Sequence, residues 1–138
     1  MPITVTAPRG VLTAQGEREI LPRLTAVLAE ASGAPDSAFL IATIGGTLHV
    51  LEPEQIFAGG ARRPLVLVEL KLPDVGLPTP QARAAFIAAA TDVVQEFSRP
   101  GNDRGDVWVT VLNAPDGGWG IGGRAWSGQD LVAAVSGS

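Results

Sequence analysis

Along the chain the spacing of apolar positions switches from a period near two to one near 3.6 and back, and does so twice. Ile3–Ala7 is a short β-branched run, Ile-Thr-Val-Thr-Ala, closed by Pro8 and Gly10, and it predicts a strand. Thr13 stands where a helix N-cap belongs, and Ile20, Leu21, Leu24, Val27, Leu28 and Ala31 then recur on one helical face. Gly16 and Pro22 interrupt that helix, so the pattern predicts either a bend or a start later than Thr13. Ser32, Gly33 and Pro35 stop it. Phe39–Ile44 is a continuous apolar run with the length of a buried strand. Gly45-Gly46 reads as a turn, and Thr47–Leu51 as a second short strand. Residues 52–63 read as irregular and end in Arg62-Arg63.

The pattern then restarts. Leu65–Leu72 predicts a strong strand, and Thr79-Pro80 a clean helix start, with a cap residue ahead of a proline at the first helical position. Ala82, Phe86, Ala89, Val93 and Phe97 mark that helix's buried face, Pro100-Gly101 end it, and Val107–Leu112 is the fourth main strand. Glycines then flank Trp119 and Ile121 in a hairpin-like tail, with no helix of useful length expected after it. Thr13 and Thr79 stand 66 residues apart, as do Val27 and Val93, and Ile41 and Val107. Pro2 and Pro64, each ahead of a strand, are 62 apart. The expected architecture is therefore α/β (α+β). Two consecutive β-α-β units, 1–60 and 61–138, form one domain with a four-stranded sheet and two helices on one face. The second unit carries the glycine-rich hairpin. Each crossover makes its own two strands parallel. The other sheet face is left bare and calls for cover.

Composition narrows the chemistry. Among 138 residues there is no cysteine, no tyrosine and a single histidine, His49. Disulfides, thiolate nucleophiles and thiolate metal sites are excluded, and multi-histidine sites nearly so. The net charge of −4 argues against a nucleic-acid surface. Charged residues make up 17%, below the roughly 25% of ordinary domains. That shortfall suggests surface hidden by other copies of the chain. No apolar run reaches the ~18 residues of a membrane span. The start lacks a basic stretch followed by an apolar one, so no secretory signal is expected and the cytoplasm is the expected location.

Two places attract chemical interest. Pro2 follows the initiator Met, which is expected to be removed before a small residue. The freed secondary amine, if buried, would titrate lower than an ordinary α-amino group and serve as a base near neutrality. The competing reading is an ordinary Met-Pro start, and a retained Met1 would leave Pro2 an amide. The second place is Gly118-Trp119-Gly120-Ile121-Gly122-Gly123-Arg124-Ala125. It is not a phosphate loop, because no Lys-Ser/Thr follows. Trp119 either walls an apolar pocket or packs under the tail.

Pro2, the doubled β-α-β pattern and the string Gly-Trp-Gly-Ile-Gly-Gly together resemble the tautomerase superfamily. The nearest likeness is to 4-oxalocrotonate tautomerase and its fused, double-length relatives such as malonate semialdehyde decarboxylase. The resemblance implies a homotrimer of double units in which Pro2 acts as base or acid on a small keto- or unsaturated carboxylate. It implies neither cofactor nor metal, and Trp119 takes the place of the family's pocket aromatic. Family arginines that bind the substrate carboxylate correspond here to Leu12, with Arg9 nearby, and to Trp108. After the third strand only Lys71 offers a cation, and Asp36 only approximates the decarboxylase aspartate. The water-activating carboxylate of the dehalogenases falls near Leu112-Asn113 and is absent. Candidate substrate-binding residues are thus Arg9, Lys71, Arg62, Arg63, Trp108 and Trp119, with Arg62-Arg63 expected beside Pro2 in a parallel sheet. Each has a plainer reading as a solvated, core or interface residue, as do His49 and Trp126. Two classes of function stay open: a cofactor-free tautomerase-type enzyme acting on a small anionic substrate, or a catalytically silent subunit of the same fold. Neither membrane nor nucleic acid is an expected partner.

Overall fold

The computed structural model describes residues 1–137. Strand β1 (Pro2–Pro8) leads to helix α1 (Ala14–Ala31), a short helix α2 (Ala38–Ala42) and strand β2 (Gly45–Leu51). A two-residue ribbon, β3 (Phe57–Ala58) with β4 (Ala61–Arg62), follows within the segment expected to be irregular. Strand β5 (Val66–Pro73), helix α3 (Pro80–Phe97) and strand β6 (Val107–Ala114) form the second unit. A hairpin, β7 (Trp119–Ile121) with β8 (Arg124–Trp126), then leads into helix α4 (Gly128–Ser136).

The main sheet has the order β2-β1-β5-β6. Each crossover gives a parallel pair, β1 with β2 and β5 with β6, as expected. The two units join through β1 and β5, and this central pair is antiparallel. Ile3 lies opposite Leu70 and Thr6 opposite Leu67. The expectation that Arg62-Arg63 would lie beside Pro2 is therefore overturned. The start of β5 lies by the end of β1, and the end of β5 by its start.

Both long helices cover one face. Ile3, Val5, Val66, Val68, Leu70 and Leu72 point into the core with Ile20, Leu24, Leu28 and Phe86, all of them 1% exposed or less. The alternate residues, among them Thr4, Thr6, His49, Glu69, Lys71, Trp108 and Leu112, form the open face. Trp108 and Leu112 are each 47% exposed there. Helices α1 and α3 are both 18 residues long, and each starts at its expected cap. The Gly16 N–H donates to Thr13 Oγ1 at 2.9 Å and the Ala82 N–H to Thr79 Oγ1 at 3.1 Å.

The two irregularities of α1 have different standing. Pro22 sits inside the helix, its ring exposed, and α1 runs through it from Ala14. Gly16 is where α1 meets the end of α3. The Thr13 N–H donates to the Phe97 carbonyl at 2.9 Å. A Cβ on Gly16 would stand 2.6 Å from Phe97 Cβ and 2.7 Å from Phe97 O. Gly16→Ala is expected to destabilise the chain. Overpacking costs ~1–3 kcal/mol, more than the ~1 kcal/mol of helix propensity gained. A denaturant midpoint that rises in this variant would contradict the close approach.

Four expectations are corrected. Phe39–Ile44 is not a strand: Ser37 caps a single helical turn, accepting from the Leu40 N–H at 3.2 Å. Only one side of that turn is buried, at Leu40, while Ile41 is 42% exposed. A strand buried on both faces would hide both residues. A short apolar run does not distinguish the two by periodicity. The parallel partner of β1 is instead Gly45–Leu51, so Gly45-Gly46 opens a strand rather than a turn. Gly46 is small because a Cβ would lie 2.9 Å from Ile3 O and 2.9 Å from Leu21 Cδ2. The equivalence of Ile41 with Val107 fails for the same reason. Finally, a nine-residue helix, α4, does follow the glycine-rich hairpin. Its Ser127 cap accepts from the Asp130 N–H at 3.1 Å.

Candidate active site

The antiparallel join places the start of β1 beside the end of β5, and a cavity of about 440 Å³ opens there. Met1 borders it. Its floor and walls come from the C-terminal end of α1, from α2 through Leu40, from the 3-10 turn Asp74–Gly76 that follows β5, and from α4. Helix α4 reaches this place by two devices. The hairpin β7–β8 closes through Gly122 and Gly123, both at positive φ, which a two-residue turn of this kind requires. The Ser37 hydroxyl donates to the Val135 carbonyl at 3.3 Å and ties α4 to the start of α2. Leu131, 2% exposed, is the buried anchor of α4.

The terminal amine of Met1 donates to the Thr43 carbonyl at 2.7 Å. Met1 as a whole is 6% exposed. Burial strips water from the ammonium and lowers the amine from its ordinary value of 8.0 to about 6. The Met1 amine is therefore largely neutral at pH 7. The bond from Met1 to the Pro2 nitrogen runs from the space that Met1 fills. Pro2 itself is not among the residues that line the cavity. The Pro2 ring is exposed and belongs to the open face.

The other expected residues are dispersed. Continuing the β1–β5 register by one residue sets Lys71 opposite Pro2, on the open face rather than in the cavity wall. Arg9 lies at the far end of β1, where its Nε donates to Glu52 Oε1 at 2.8 Å. Arg62 is exposed in the β3–β4 ribbon, and Arg63 Nε donates to Asp106 Oδ1 at 2.6 Å. Both arginines precede β5 and share Arg9's end of the sheet. Trp108 stands on the open face, its Nε1 donating to the Gly105 carbonyl at 3.1 Å. Trp119 is 8% exposed and packs under the tail, its ring centroid 6.3 Å from that of Trp126. Trp126 in turn lies 5.3 Å from Phe39. The hairpin tryptophans therefore brace α2, whose Leu40 lines the cavity, and Trp119 does not line it. His49 is exposed on β2, 3.1 Å from Thr47 Oγ1. Among the described residues no group of three or more His, Cys, Asp or Glu could hold a metal ion. No helix there is long and apolar enough to cross a membrane.

The cavity-lining residues of α4 escaped sequence reasoning. The signal was present in Ser127-x-x-Asp130 followed by Leu131 and Val135 at i, i+4 spacing.

No protein-family model matches the sequence, and no curated protein matches it. Solved structures do. The chain is similar to Pt0534 inactivated by 2-oxo-3-pentynoate, at 23% identity and a TM-score of 0.74, over 95% of this chain and 98% of that one. It is similar to a wild-type fused 4-OT described as a symmetric trimer, at 20% identity and a TM-score of 0.76, with the same two coverages. It is similar to FG41 malonate semialdehyde decarboxylase inhibited by 3-bromopropiolate, at 18% identity and a TM-score of 0.67, over 96% of each chain. Across nearly its whole length, the chain shares the fold of these solved fused 4-OT and malonate semialdehyde decarboxylase structures.

Proposed function

We propose that this chain is a cofactor-independent, tautomerase-type enzyme in which Pro2, freed of Met1, moves a proton at carbon next to a carbonyl. The observation that carries the reading is the cavity at the start of β1, where burial lowers the amine of Met1, the residue ahead of Pro2, to about 6. A base is most useful when its pKa lies near the working pH. The secondary amine of proline takes the α-proton of a keto compound as the C–H pair becomes the C=C bond. The carbonyl π pair moves to oxygen, which is then protonated to give the enol. The reverse sequence converts enol to ketone. Carboxylates in this chain would need a large upward shift to do the same work, whereas the amine needs only a small downward one. Similarity to a fused 4-OT and to a malonate semialdehyde decarboxylase supports a reaction of this class.

The test is direct. Intact mass of the purified chain should show Met1 removed. With ¹⁵N-labelled proline, the Pro2 amine should titrate below pH 7. A titration at or above the ordinary range of about 7.7–8.0, or a retained Met1, would favour the catalytically silent subunit instead.

The assembly belongs to the same proposal. Trp108 and Leu112 stand exposed on a sheet face without cover from this chain, and one of the similar structures is a symmetric trimer. Three copies with their open faces inward would bury both side chains. Light scattering at micromolar concentration should give three times the chain mass of 14.2 kDa. A stable monomer would refute this arrangement.

A further inference from the structure

We infer that the backbone N–H of Gly45, released when Met1 is removed, holds the substrate's carbonyl oxygen and the negative charge that grows on it. This role rests on the proposed role of the Pro2 amine and gives that base a partner. With Met1 in place, the Gly45 N–H donates to the Met1 carbonyl at 3.2 Å, the first rung between β1 and β2. The carbon of that carbonyl is the one bonded to the Pro2 nitrogen. Cutting this bond frees the base and unpairs the donor in one step. The donor keeps its aim at a place beside the base, because the ladder continues behind it. Pro2 is the register partner of Gly45, Ile3 of Gly46 and Thr4 of Thr47.

There is room for a ligand at this donor. Met1 is 6% exposed and borders the cavity, so the space it leaves joins the cavity. Gly45 is exposed, and a Cβ there would meet nothing within 4 Å. A small carbonyl compound can thus reach the N–H and the Pro2 nitrogen together. As the amine takes the α-proton, the C–H pair forms the C=C bond and the carbonyl π pair moves to oxygen, where the N–H meets it. A backbone donor held by a strand needs no rearrangement as that charge appears. The Thr43 carbonyl, which accepts from the Met1 amine at 2.7 Å, is released by the same cut. It is an acceptor, repels an oxyanion and so leaves the Gly45 side as the place for one. On the other flank of Pro2 the β1–β5 register sets Lys71, the competing donor.

The test follows the Gly45 amide by NMR in the ¹⁵N-labelled, processed chain. Benzoylformate, a keto acid with no α-proton to lose, should move that signal downfield and slow its solvent exchange about tenfold or more. Phenylacetate, which keeps the ring and the carboxylate but lacks the keto oxygen, should leave it in place. In a chain kept with Met1 by aminopeptidase inhibition the amide is already bonded, and benzoylformate should not move it. Kinetics give a second reading. Gly45→Pro removes the N–H at the first residue of a strand, where proline is tolerated, and Gly45→Ala keeps it. Enol-to-keto conversion of phenylpyruvate should have a kcat roughly 10²–10³-fold lower in the proline variant than in the alanine variant. A Gly45 amide unmoved by benzoylformate overturns the assignment, as do an equal response to phenylacetate and equal kcat in two folded variants. Shifts that gather at Lys71 instead overturn it too and place the oxygen on the other flank. If Gly45→Pro fails to fold, the amide signal decides alone. A Gly45 amide that responds in a chain without turnover keeps the oxygen site and sinks the proton-transfer reading alone.

Discussion

Replacing Pro2 with alanine is expected to slow enol–keto conversion roughly 10²–10⁴-fold, the usual cost of losing a positioned general base. The expectation follows from where β1 begins. Ile3 and Val5 are fully packed against the helices, so the residue ahead of them is held by the core rather than by a loop. Pro2 and Ile3 pair in parallel register with Gly45 and Gly46, which fixes the start of β1 against β2. Alanine keeps the strand pairing, so circular dichroism and the unfolding midpoint should stay close to the native values. Its primary amine retains some basicity but loses the ring that sets the direction of the lone pair. The pH dependence has a definite sign. Burial at this end of β1 lowers a terminal amine, the neutral form is the active one, and kcat/KM should rise to its plateau below the ordinary amine range of about 7.7–8.0. A Pro2→Ala chain with native activity, or a native rate that first rises above pH 8, would remove Pro2 from the mechanism.

Much of the fold is legible in the chain because it is written in local signals. Thr13 and Thr79 fix the helix starts through side-chain caps, and the alternation of Leu65–Leu72 gives β5 within one residue of its observed bounds. What is lost is lost for physical reasons. Phe39–Ile44 is too short for its period to separate helix from strand, and the capping of Ser37 on Leu40 decides it. Gly45-Gly46 reads as a turn because the contact of Gly46 with Ile3 and Leu21 is tertiary. The antiparallel meeting of β1 and β5 is likewise long-range. Assuming a parallel neighbour moved Arg62 and Arg63 to the wrong end of the sheet.

The site divides along the same line. Pro2 is visible because the chemistry proposed for it is local: a proline one residue after the starting Met. The cavity is not visible, because its wall is assembled from the end of α1, one turn of α2, the turn after β5 and a C-terminal helix. Trp119, the most conspicuous residue of the glycine-rich string, works at one remove. It packs with Trp126, which braces Phe39 and so the helix turn that carries Leu40.

Leu131→Asp should undock α4 and reduce activity at pH 7 by about tenfold or more. Leu131 is 2% exposed and lies where α4 faces the cavity. A carboxylate there has no cation in the cavity wall, and an unpaired buried charge costs several kcal/mol. Nine residues of helix hold little free energy with which to oppose that cost, so the helix leaves rather than the charge being buried. Its departure admits water to the start of β1 and releases the terminal amine toward its ordinary value of 8.0. A Pro2 amine returned toward the ordinary range of about 7.7–8.0 is mostly protonated at pH 7 and so mostly inactive, and the loss of the Leu131, Val132 and Val135 wall adds to this. Raising the pH to 9 should recover the protonation share of the loss and not the binding share, which appears as a raised KM. Leu131 belongs to the same buried cluster as Val68, Leu70 and Phe86, so the unfolding midpoint should fall as well while the sheet and long helices keep their circular-dichroism signature. A variant with native kcat/KM across the whole pH range would show that α4 neither dries the amine nor shapes the cavity.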